Sequence, residues 1–362
     1  MPVIEPKALV YNRVDAIRDY HAACGITRAE LDVSGGIDSA VLAGLLALAL
    51  GPDNVTYAHL GINSNPEQTA RAVKLIHGIG GRLAVGDYTA PYQLIIDKVR
   101  EDLIDAGYDA AEIDARLAAD PTILGSIRST LRAPLGRAFN RMTGGGIRHG
   151  TGNECEDRFL RFYQKGGDGE VDTNPIAMLS KAETYQLAFA LAEEFGPEAK
   201  EAYYETIAAL PSADLWGVGD KHNDESELKS WTGASFTYGR LDVTTGKVVN
   251  VGTIERVARF LDRPARDGDI QMGVTIEYHL FDDDPHRPGI HMDLMVDAAE
   301  KSGLFTGFPR DTITALLKGA RKAERATRHK LNPNCPALGT RQELIAAGIL
   351  SDNFDDYGIT NH

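Results

Sequence analysis

The chain has 362 residues, of which 43% are hydrophobic and 25% charged, proportions typical of a globular protein with its own core. Its formal net charge of −14 argues against nucleic acid as a partner, because a broad nucleic-acid-binding surface needs clustered basic residues. No stretch approaches the roughly 18 apolar residues that cross a bilayer, and the N-terminus lacks the apolar core of a signal peptide, so we expect no membrane association.

The three cysteines, Cys24, Cys155 and Cys335, predict free thiols. Their number is odd, and no pair has a CxxC or metal-finger spacing. Free thiols are typical of a reducing compartment, so we expect a cytoplasmic protein. Cys155 stands between two glutamates, which disfavours its thiolate and argues against a nucleophilic role.

Strand and helix patterns alternate along the first 90 residues. Helical periodicity at 10–23 is followed by an apolar run at 31–33, a glycine-rich turn, a helix at 40–50, a strand at 54–60, a helix from Pro66 and a strand at 82–88. This order predicts an α/β fold, a doubly wound and Rossmann-like parallel sheet with helices on both faces. Ligands of such sheets bind at the carboxyl ends of the strands, near a switch point in the strand order.

The rest of the chain is predicted to be mostly helical. Helices are predicted at 90–142, 180–195 and 197–209, a short strand at 146–151, an acidic loop at 211–235, a β-hairpin at 236–253 with its turn at 244–246, and a polar loop at 282–293 within a helical tail. His286, His291 and Asp293 in that polar loop lack a known metal-ligand spacing. We therefore predict a first domain at 1–235 and a small C-terminal α+β extension at 236–362.

The turn "SGGIDS" after the first strand predicts a phosphate-binding loop. Gly35 and Gly36 allow a ligand to approach the backbone closely, and Ser34 and Ser39 can donate hydrogen bonds to phosphate oxygens. Asp38 would repel a bare phosphate, so its carboxylate makes sense there if it holds Mg²⁺. The patterns GxxxxGK[ST] and GxGxxG are absent. A tight structural turn with a serine cap is the alternative interpretation.

The SGGxDS pattern resembles the loop of the ATP pyrophosphatase superfamily, and six later stretches resemble the ammonia-dependent NAD synthetases within it. These stretches, in chain order, are GTGNECE, QKGGDGEVDTNPI, LSKAE, PSADLW, NDESEL and TRHKLNPNCP. The resemblance covers roughly residues 10–232 and a short piece of the tail. It implies a fold of the adenine nucleotide alpha hydrolase type, with ATP as co-substrate and Mg²⁺ as cofactor.

The resemblance also implies which residues bind ATP and the metal. The implied ATP-binding residues are Ser34, Gly35, Gly36, Ile37, Asp38, Ser39, Thr151, Lys181 and Ser212. Asp38 and Glu156 are the implied Mg²⁺ ligands, with Asp157 as the alternative to Glu156, and Asp38 and Lys181 are the implied catalytic residues. Taken alone, either carboxylate could be an acid at a helix N-terminus, and Lys181 could be a solvated surface residue.

The second substrate implied by the resemblance is nicotinic acid adenine dinucleotide. Its implied binding residues are Arg132, Lys165, Asp168, Asp172, His329 and Lys330. His329 and Lys330 also fit a basic surface pair. The stretch "SIRSTLRAP" departs from the family pattern, because Thr130 stands where the family has an arginine, and Arg128 or Arg132 is the candidate replacement.

The resemblance therefore implies an AMP-forming ligase that adenylylates a carboxylate and transfers ammonia to it. It also implies a homodimer whose other partners are small molecules only. The chain carries no glutaminase-like context around its cysteines, so ammonia would be free or supplied by a separate amidase. The hairpin and most of 262–320 are additions to the shorter family members. A ligase for a different carboxylate and a non-catalytic nucleotide-binding module are the alternatives.

Overall fold

A parallel sheet forms the centre of the protein, as the strand and helix alternation predicts. The computed structural model describes residues 5–120, 122–212, 223–262, 288–327, 330, 339–351 and 353. The four parallel strands are β1 (Ala29–Asp32), β2 (Val55–Gly61), β3 (Leu83–Asp87) and β4 (Ile147–Arg148), in the order β3-β2-β1-β4. Ala29 of β1 lies opposite Val55 on one side and Ile147 on the other.

Helices pack on both faces of this sheet, and the described residues form thirteen α-helices in all. They are α1 (Pro6–Cys24), α2 (Ile37–Leu50), α3 (Pro66–Gly78), α4 (Thr89–Asp105), α5 (Ala110–Ala119), α6 (Thr122–Met142), α7 (Lys181–Leu191), α8 (Pro197–Ala208), α9 (Asp224–Thr232), α10 (Thr253–Asp262), α11 (Pro288–Lys301), α12 (Arg310–Thr327) and α13 (Arg341–Ala346). Right-handed crossovers put α2 and α3 on one face and α6 on the other, and every residue of β2 is buried.

The strand order has a switch point beside β1. From β1 the chain proceeds through β2 to β3 on one side, and β4 then pairs with the other side of β1. The turn after β1 and the chain after β4 therefore leave neighbouring strands in the same direction. This is the position at which parallel α/β sheets bind their ligands.

Two predicted loops are wrong in part. Within the predicted acidic loop at 211–235, residues Asp224–Thr232 form α9, while 213–222 lie outside the described residues. Asn223 caps α9 by accepting from the amide of Ser226, and acidic side chains in a first turn favour a helix. The acidity of this stretch is therefore compatible with a helix start as well as with a loop. Likewise, the second half of the predicted polar loop at 282–293 belongs to α11, which begins at Pro288, a favourable first helical residue.

The predicted β-hairpin is confirmed. Strands β5 (Arg240–Asp242) and β6 (Lys247–Asn250) pair in antiparallel fashion. The amide of Gly246 donates to the Asp242 carbonyl at 2.8 Å, and Gly246 adopts a φ of +68°, which glycine tolerates at no steric cost.

Three hydrophobic clusters form the core of the described chain, and the smallest contains only Ala182, Val248 and Val251. The first lies among α1, α2, α3, α7 and α8 beside the sheet and also includes Leu344 of α13. The second joins α10, α11 and α12 with Cys155, Leu160 and Leu228, which precede residue 235. The division at 235 stays a prediction. No helix among the described residues is long and apolar enough to span a membrane.

Candidate active site

The glycine-rich turn lies at the carboxyl end of β1 and leads directly into α2. Gly35 has a φ of +83°, and a Cβ there would lie 2.2 Å from the Gln68 carbonyl oxygen. Gly36 is the N-cap of α2 without any side-chain hydrogen bond to the helix amides. The amides at this helix N-terminus are therefore available to an anion, which the helix dipole also favours.

The two serine hydroxyls of the turn bond to each other and to the turn itself. Ser34 Oγ lies 3.0 Å from Ser39 Oγ and accepts a hydrogen bond from the Gly36 amide at 3.2 Å. Ser39 Oγ donates to the Gly36 carbonyl at 3.1 Å and accepts from the Ser34 amide at 3.2 Å. A phosphate group bound here would replace some of these hydrogen bonds. The same groups can therefore either stabilise the turn or bind a phosphate.

Three charged side chains from three elements meet beside this turn, and we call Asp38, Glu156 and Lys181 the charge cluster. Lys181 Nζ donates to Asp38 Oδ2 at 2.6 Å and to Glu156 Oε1 at 2.7 Å. The Lys181 side chain is only 2% exposed, and each carboxylate is 15% exposed. The solvated surface alternative for Lys181 is thereby excluded.

Local capping fixes the elements that carry this cluster. A π-helical segment, Glu154–Leu160, carries Glu156, and Asn153 caps it by accepting from the amides of Cys155 and Glu156. The Asn153 side-chain amide also donates to Asp38 Oδ1 at 3.1 Å. Lys181 is the first residue of α7, whose N-cap Ser180 forms a capping box with Glu183.

The electrostatics of the cluster follow from its burial. Burial, together with the negative charges of Asp38 and Asp224, raises the pKa of Glu156 to about 7, against the attraction of the Lys181 ammonium. Burial alone would lower the pKa of Lys181, but Asp38 and Glu156 together hold that pKa well above its usual value. The lysine therefore stays protonated and supplies a fixed positive charge at the end of β1.

Two residues near the cluster were not singled out from the sequence. Asp224, the first residue of α9, is 6% exposed and acts electrostatically on both Glu156 and Lys181. Tyr238 is 1% exposed, and its ring centroid lies 5.3 Å from Lys181 Nζ. The stretch NDESEL contained a signal for Asp224, whereas Tyr238 lies beside a predicted hairpin that carried none.

Cys155 is buried and its thiol is not activated. Burial raises the pKa of the Cys155 thiol well above its usual value, with Glu255 and Glu154 acting in the same direction. This agrees with the absence of a nucleophilic role predicted for it. Cys24 is a free, exposed thiol, and Cys335 lies outside the described residues.

The other predicted ATP-binding residues lie on the chain that follows β4 and α8. Thr151 follows Gly150, whose amide donates to the Thr173 carbonyl at 2.8 Å, and Thr151 is half-buried. Ser212 is half-buried and stands immediately before 213–222, which are outside the described residues. Their roles in ATP binding stay predictions.

The two candidate replacements for the family arginine lie on α6, on either side of Thr130. Arg132 Nε donates to the Leu60 carbonyl at 3.3 Å, at the carboxyl end of β2. Arg128 is buried with its guanidinium 6.0 Å from the Tyr92 ring centroid. Thr130 is exposed, and its hydroxyl donates to the Ser126 carbonyl within the same helix at 2.9 Å. Both arginines therefore lie on the helix that covers the carboxyl edge of the sheet.

Several predicted substrate residues hold the loop after the π-helical segment. Asp168 Oδ1 accepts from Ser129 Oγ at 2.9 Å and from the Gln164 amide at 2.8 Å, and Lys165 is exposed beside it. Asp172 Oδ2 accepts from the Arg148 amide at 2.8 Å, so this carboxylate extends the pairing at β4. These contacts give Asp168 and Asp172 structural roles, and their substrate roles stay predictions.

Lys330 reaches the same loop from the C-terminal tail. Its ammonium donates to the Arg161 carbonyl at 2.9 Å and to the Tyr163 carbonyl, and it lies 5.0 Å from the Tyr163 ring centroid. Burial lowers the pKa of Lys330, although Asp168 and Asp157 act in the opposite direction. His329, its predicted partner, lies outside the described residues.

The structure separates the two adjacent carboxylates that the sequence left as alternatives. Glu156 contacts Lys181, whereas Asp157 Oδ2 accepts from the side-chain amide of Asn174 at 3.3 Å. Burial raises the pKa of Asp157 well above its usual value, and Asp168 and Glu156 raise it further. In the described part of the chain, no three or more His, Cys, Asp or Glu side chains form a group that could hold a metal ion.

Comparison with known proteins identifies the family of this chain. The family model described as NAD synthase matches residues 9–243, which include the charge cluster and the glycine-rich turn. The chain belongs to the NAD synthase family. Residues 244–362 lie beyond the matched region, so most of the C-terminal extension is not part of the family model.

Two curated relatives agree with this membership. The NH₃-dependent NAD⁺ synthetase of Methanococcoides burtonii is 30% identical over 268 residues, which are 74% of this chain and 88% of that protein. The enzyme of the same name from Halobacterium salinarum strain R1 is 32% identical over 201 residues, which are 55% of this chain and 65% of that protein.

A solved structure supports the fold. The NMN synthetase of Francisella tularensis superposes with a TM-score of 0.53 and 22% sequence identity, covering 71% of this chain and 86% of that one. The predicted Rossmann-like α/β fold is confirmed, while this likeness by itself identifies no substrate.

Proposed function

We propose that this protein is an AMP-forming amide ligase, which adenylylates the carboxylate of nicotinic acid adenine dinucleotide and transfers ammonia to it. The products are NAD, AMP and pyrophosphate. The observation that carries the proposal is the buried Lys181 ammonium between Asp38 and Glu156, beside the glycine-rich turn of an NAD synthase family chain. The relatives named NH₃-dependent NAD⁺ synthetases support the choice of amine and product.

In the first step, a carboxylate oxygen of the substrate attacks the α-phosphorus of ATP. An oxygen–phosphorus bond forms, and the bond to the departing pyrophosphate breaks. The amides at the N-terminus of α2 and the hydroxyls of Ser34 and Ser39 would bind this anion, and the α2 dipole favours its charge. Lys181 stays protonated, so its ammonium would neutralise part of the charge that develops on the phosphates.

In the second step, ammonia attacks the acyl carbon of the adenylate. A carbon–nitrogen bond forms, AMP leaves with the bonding electrons, and the nitrogen loses a proton to give the amide. This chemistry needs no protein nucleophile, which agrees with the raised pKa of the buried Cys155 thiol. Positioning the reactants and neutralising charge would supply most of the acceleration.

We propose Asp38 and Glu156 as the residues that would hold Mg²⁺. Two largely buried carboxylates that lie side by side fit this ion, because Mg²⁺ usually takes one or two carboxylates and completes its shell with substrate phosphates and water. Bound there, the ion would neutralise phosphate charge. Asn153 keeps the Asp38 carboxylate in place by donating to Oδ1.

We also propose that the protein is a homodimer in the cytoplasm. Apolar side chains on α4 and the edge strand β3 support the dimer, since Val85, Leu94, Ile95 and Val99 are each 42% to 69% exposed. Exposed apolar side chains close together in the sequence are a feature that interaction sites often share. Ammonia would be free or come from a separate amidase.

The decisive experiment measures pyrophosphate release from Mg·ATP with nicotinic acid adenine dinucleotide and ammonium chloride. We expect turnover and formation of NAD, and a loss of about 100-fold or more in kcat/KM for Asp38→Asn and for Glu156→Gln. Glu205→Gln is the matched control, because Glu205 is an exposed carboxylate that pairs with Lys74 and is not a member of the charge cluster. Full activity in either cluster variant would contradict its assigned role.

The substitution at Thr130 favours a second candidate, a ligase of the same chemistry for a different carboxylate. The assay therefore includes a panel of carboxylic acids, among them nicotinic acid mononucleotide, which lacks the adenylate half of the proposed substrate. Turnover with a panel member, and none with the dinucleotide, would identify this second candidate. Binding of ATP without AMP release from any acid would instead indicate a non-catalytic module.

A further inference from the structure

The C-terminal extension, residues 236–362, packs against the elements that carry the charge cluster. Helices α10 and α12 contact the π-helical segment, α12 contacts α9, and β5 and β6 contact α7. These three elements carry Glu156, Asp224 and Lys181 respectively. The described part of the extension therefore contacts three of the elements that place charged groups around the Lys181 ammonium.

A buried ion pair joins α10 to the segment that carries Glu156. Arg259 donates from Nη1 to Glu154 Oε1 at 2.8 Å and from Nη2 to Glu154 Oε2 at 2.5 Å. Both side chains are at most 5% exposed, and Glu154 is two residues from Glu156. Since loss of one partner would leave a buried charge unpaired, this bidentate pair holds the π-helical segment against the extension.

A buried glutamate of α10 holds the start of α7. Glu255 Oε1 accepts from the Gly239 amide at 2.8 Å and from the Ala182 amide at 3.3 Å, and Glu255 is 1% exposed. Ala182 immediately follows Lys181. One carboxylate of the extension therefore bridges the hairpin and the first turn of α7, from which the lysine side chain starts.

The Tyr238 ring faces the Lys181 ammonium. Its ring lies 5.3 Å from Lys181 Nζ, and its amide donates to Glu225 Oε1 at 2.9 Å, one residue after Asp224. Within the described part of the chain, the buried Tyr238 hydroxyl has no hydrogen-bond partner. An ammonium facing an aromatic ring is attracted by it, most strongly where water is excluded, so the ring and not the hydroxyl serves the lysine.

We propose that Tyr238 is a positioning residue for the ligase reaction, whose ring holds the Lys181 ammonium against Asp38 and Glu156. Glu255 and Arg259 anchor the elements on either side of that ring. The lysine side chain is a flexible four-carbon stem whose bonds rotate. Without the ring, its ammonium would therefore leave the cluster more often. The extension thereby contributes to catalysis through the geometry of a residue outside it. This inference rests on the proposed function for the reaction that Lys181 serves.

The test compares Tyr238→Leu and Tyr238→Met, which remove the aromatic ring, with Tyr238→Phe, which keeps it. We expect a kcat for pyrophosphate release about tenfold lower in the first two, with little change in KM for the carboxylate. Tyr238→Phe should retain most of the kcat. Arg310→Gln is the control within the extension, because Arg310 pairs with Asp297 and Glu300 at the surface. Thermal unfolding of every variant identifies those that fail to fold.

A second readout does not depend on turnover. Acetylation by an N-hydroxysuccinimide ester, followed by peptide mass spectrometry, reports the accessibility of each lysine amine. Lys181, 2% exposed, should be protected in the wild type and in Tyr238→Phe and should become reactive in Tyr238→Leu, while Lys98, 61% exposed, serves as the internal reference.

Together, kcat and the acetylation of Lys181 distinguish failure of the proposed function from failure of the positioning role. In one outcome, the wild type shows no turnover while Lys181 loses its protection in Tyr238→Leu. That result would refute the proposed function and support the positioning role. Unchanged kcat and unchanged protection in the folded Leu and Met variants would overturn the positioning role. Equal losses in the Phe and Leu variants would also overturn it, because the hydroxyl would then be the group that matters.

Discussion

The Lys181 ammonium allows Asp38 and Glu156 to lie side by side in a site that is largely removed from water. Two carboxylates so close would repel each other, and the lysine offsets this repulsion with two short hydrogen bonds of 2.6 and 2.7 Å. When phosphates bind, the lysine can turn from the two carboxylates to the phosphate oxygens. A single side chain therefore stabilises the cluster and would also carry the charge that the proposed chemistry needs.

Gly35 is the second residue on which the site depends, and Gly35→Ala tests it against Gly25→Ala. Both glycines have positive φ, +83° and +65°, but only at Gly35 would a Cβ meet backbone, at 2.2 Å from the Gln68 oxygen. We expect Gly25→Ala to lower the free energy of unfolding by about 1 kcal/mol, the cost of a left-handed alanine. Gly35→Ala should cost clearly more and also reduce ATP turnover, because the turn must move.

Urea unfolding at one pH measures the free energy of unfolding of both glycine variants. Its dependence on urea concentration should be the same in the variants and the wild type, so that the values can be compared. Equal losses of stability at the two positions would contradict the close approach of the turn to α3.

At the scale of elements, buried ion pairs tie segments that are distant in the chain. In three such pairs of the described structure, the arginine donates two hydrogen bonds to the carboxylate. These pairs are Glu30 with Arg148, Glu154 with Arg259 and Glu183 with Arg341. The last joins the first turn of α7 to α13 near the C-terminus. Although burial acts in the opposite direction, the Arg341 guanidinium holds the pKa of Glu183 well below its usual value of 4.5.

This depressed pKa predicts how stability changes with pH. A carboxylate with a lowered folded pKa stabilises the fold above its unfolded pKa, and that contribution is lost as the pH falls. Glu183→Gln should therefore lower the free energy of unfolding by about 3 to 5 kcal/mol at pH 7. The difference from wild type should shrink by about 1.4 kcal/mol per pH unit below about pH 4.5.

Chemical unfolding at pH 7, 5.5 and 3.5 measures this difference. Glu205→Gln is the control, since its exposed pair with Lys74 contributes at most about 1 kcal/mol. A Glu183→Gln deficit that stayed constant down to pH 3.5 would contradict the lowered pKa.

At the scale of the whole molecule, one edge of the sheet is left with apolar side chains at the surface. Tyr92 is the only buried residue of α4, while Ile95 and Val99, four residues apart and so on one face, are 42% and 50% exposed. The net charge of −14 opposes self-association of the whole molecule, so a dimer would need apolar contacts to offset it. This face of α4 is the one that we propose for contact with a second copy.

Charged substitutions on this face test the dimer. Ile95→Glu and Val99→Glu should convert a dimer to a monomer without loss of folding, because a carboxylate buried in an apolar interface is costly. Sedimentation velocity over a concentration series measures the change. Leu294→Glu, at another exposed apolar position of 56% exposure, is the control. A wild type that sediments as a monomer would refute the proposed dimer.

Much of the fold could be predicted because its signals are local. Apolar periodicity in β2 and α3 and the glycines of the turn at 34–39 act within a few residues of themselves. Where the local signal was ambiguous, the prediction was wrong, as for α9. Its acidic first turn resembles a solvated loop until Asn223 is seen to cap it and Leu228 to be buried.

The candidate site illustrates the limit of this approach. The sequence alone determined a parallel α/β fold with a glycine-rich turn after its first strand. It also predicted phosphate binding at that turn and a set of charged residues that carry the family resemblance. The contact of Lys181 with Asp38, across 143 residues, and the ring of Tyr238 behind the lysine were decided only by tertiary structure. Such contacts depend on how the switch point and the extension pack together, and a pattern within one short segment carries no information on that packing.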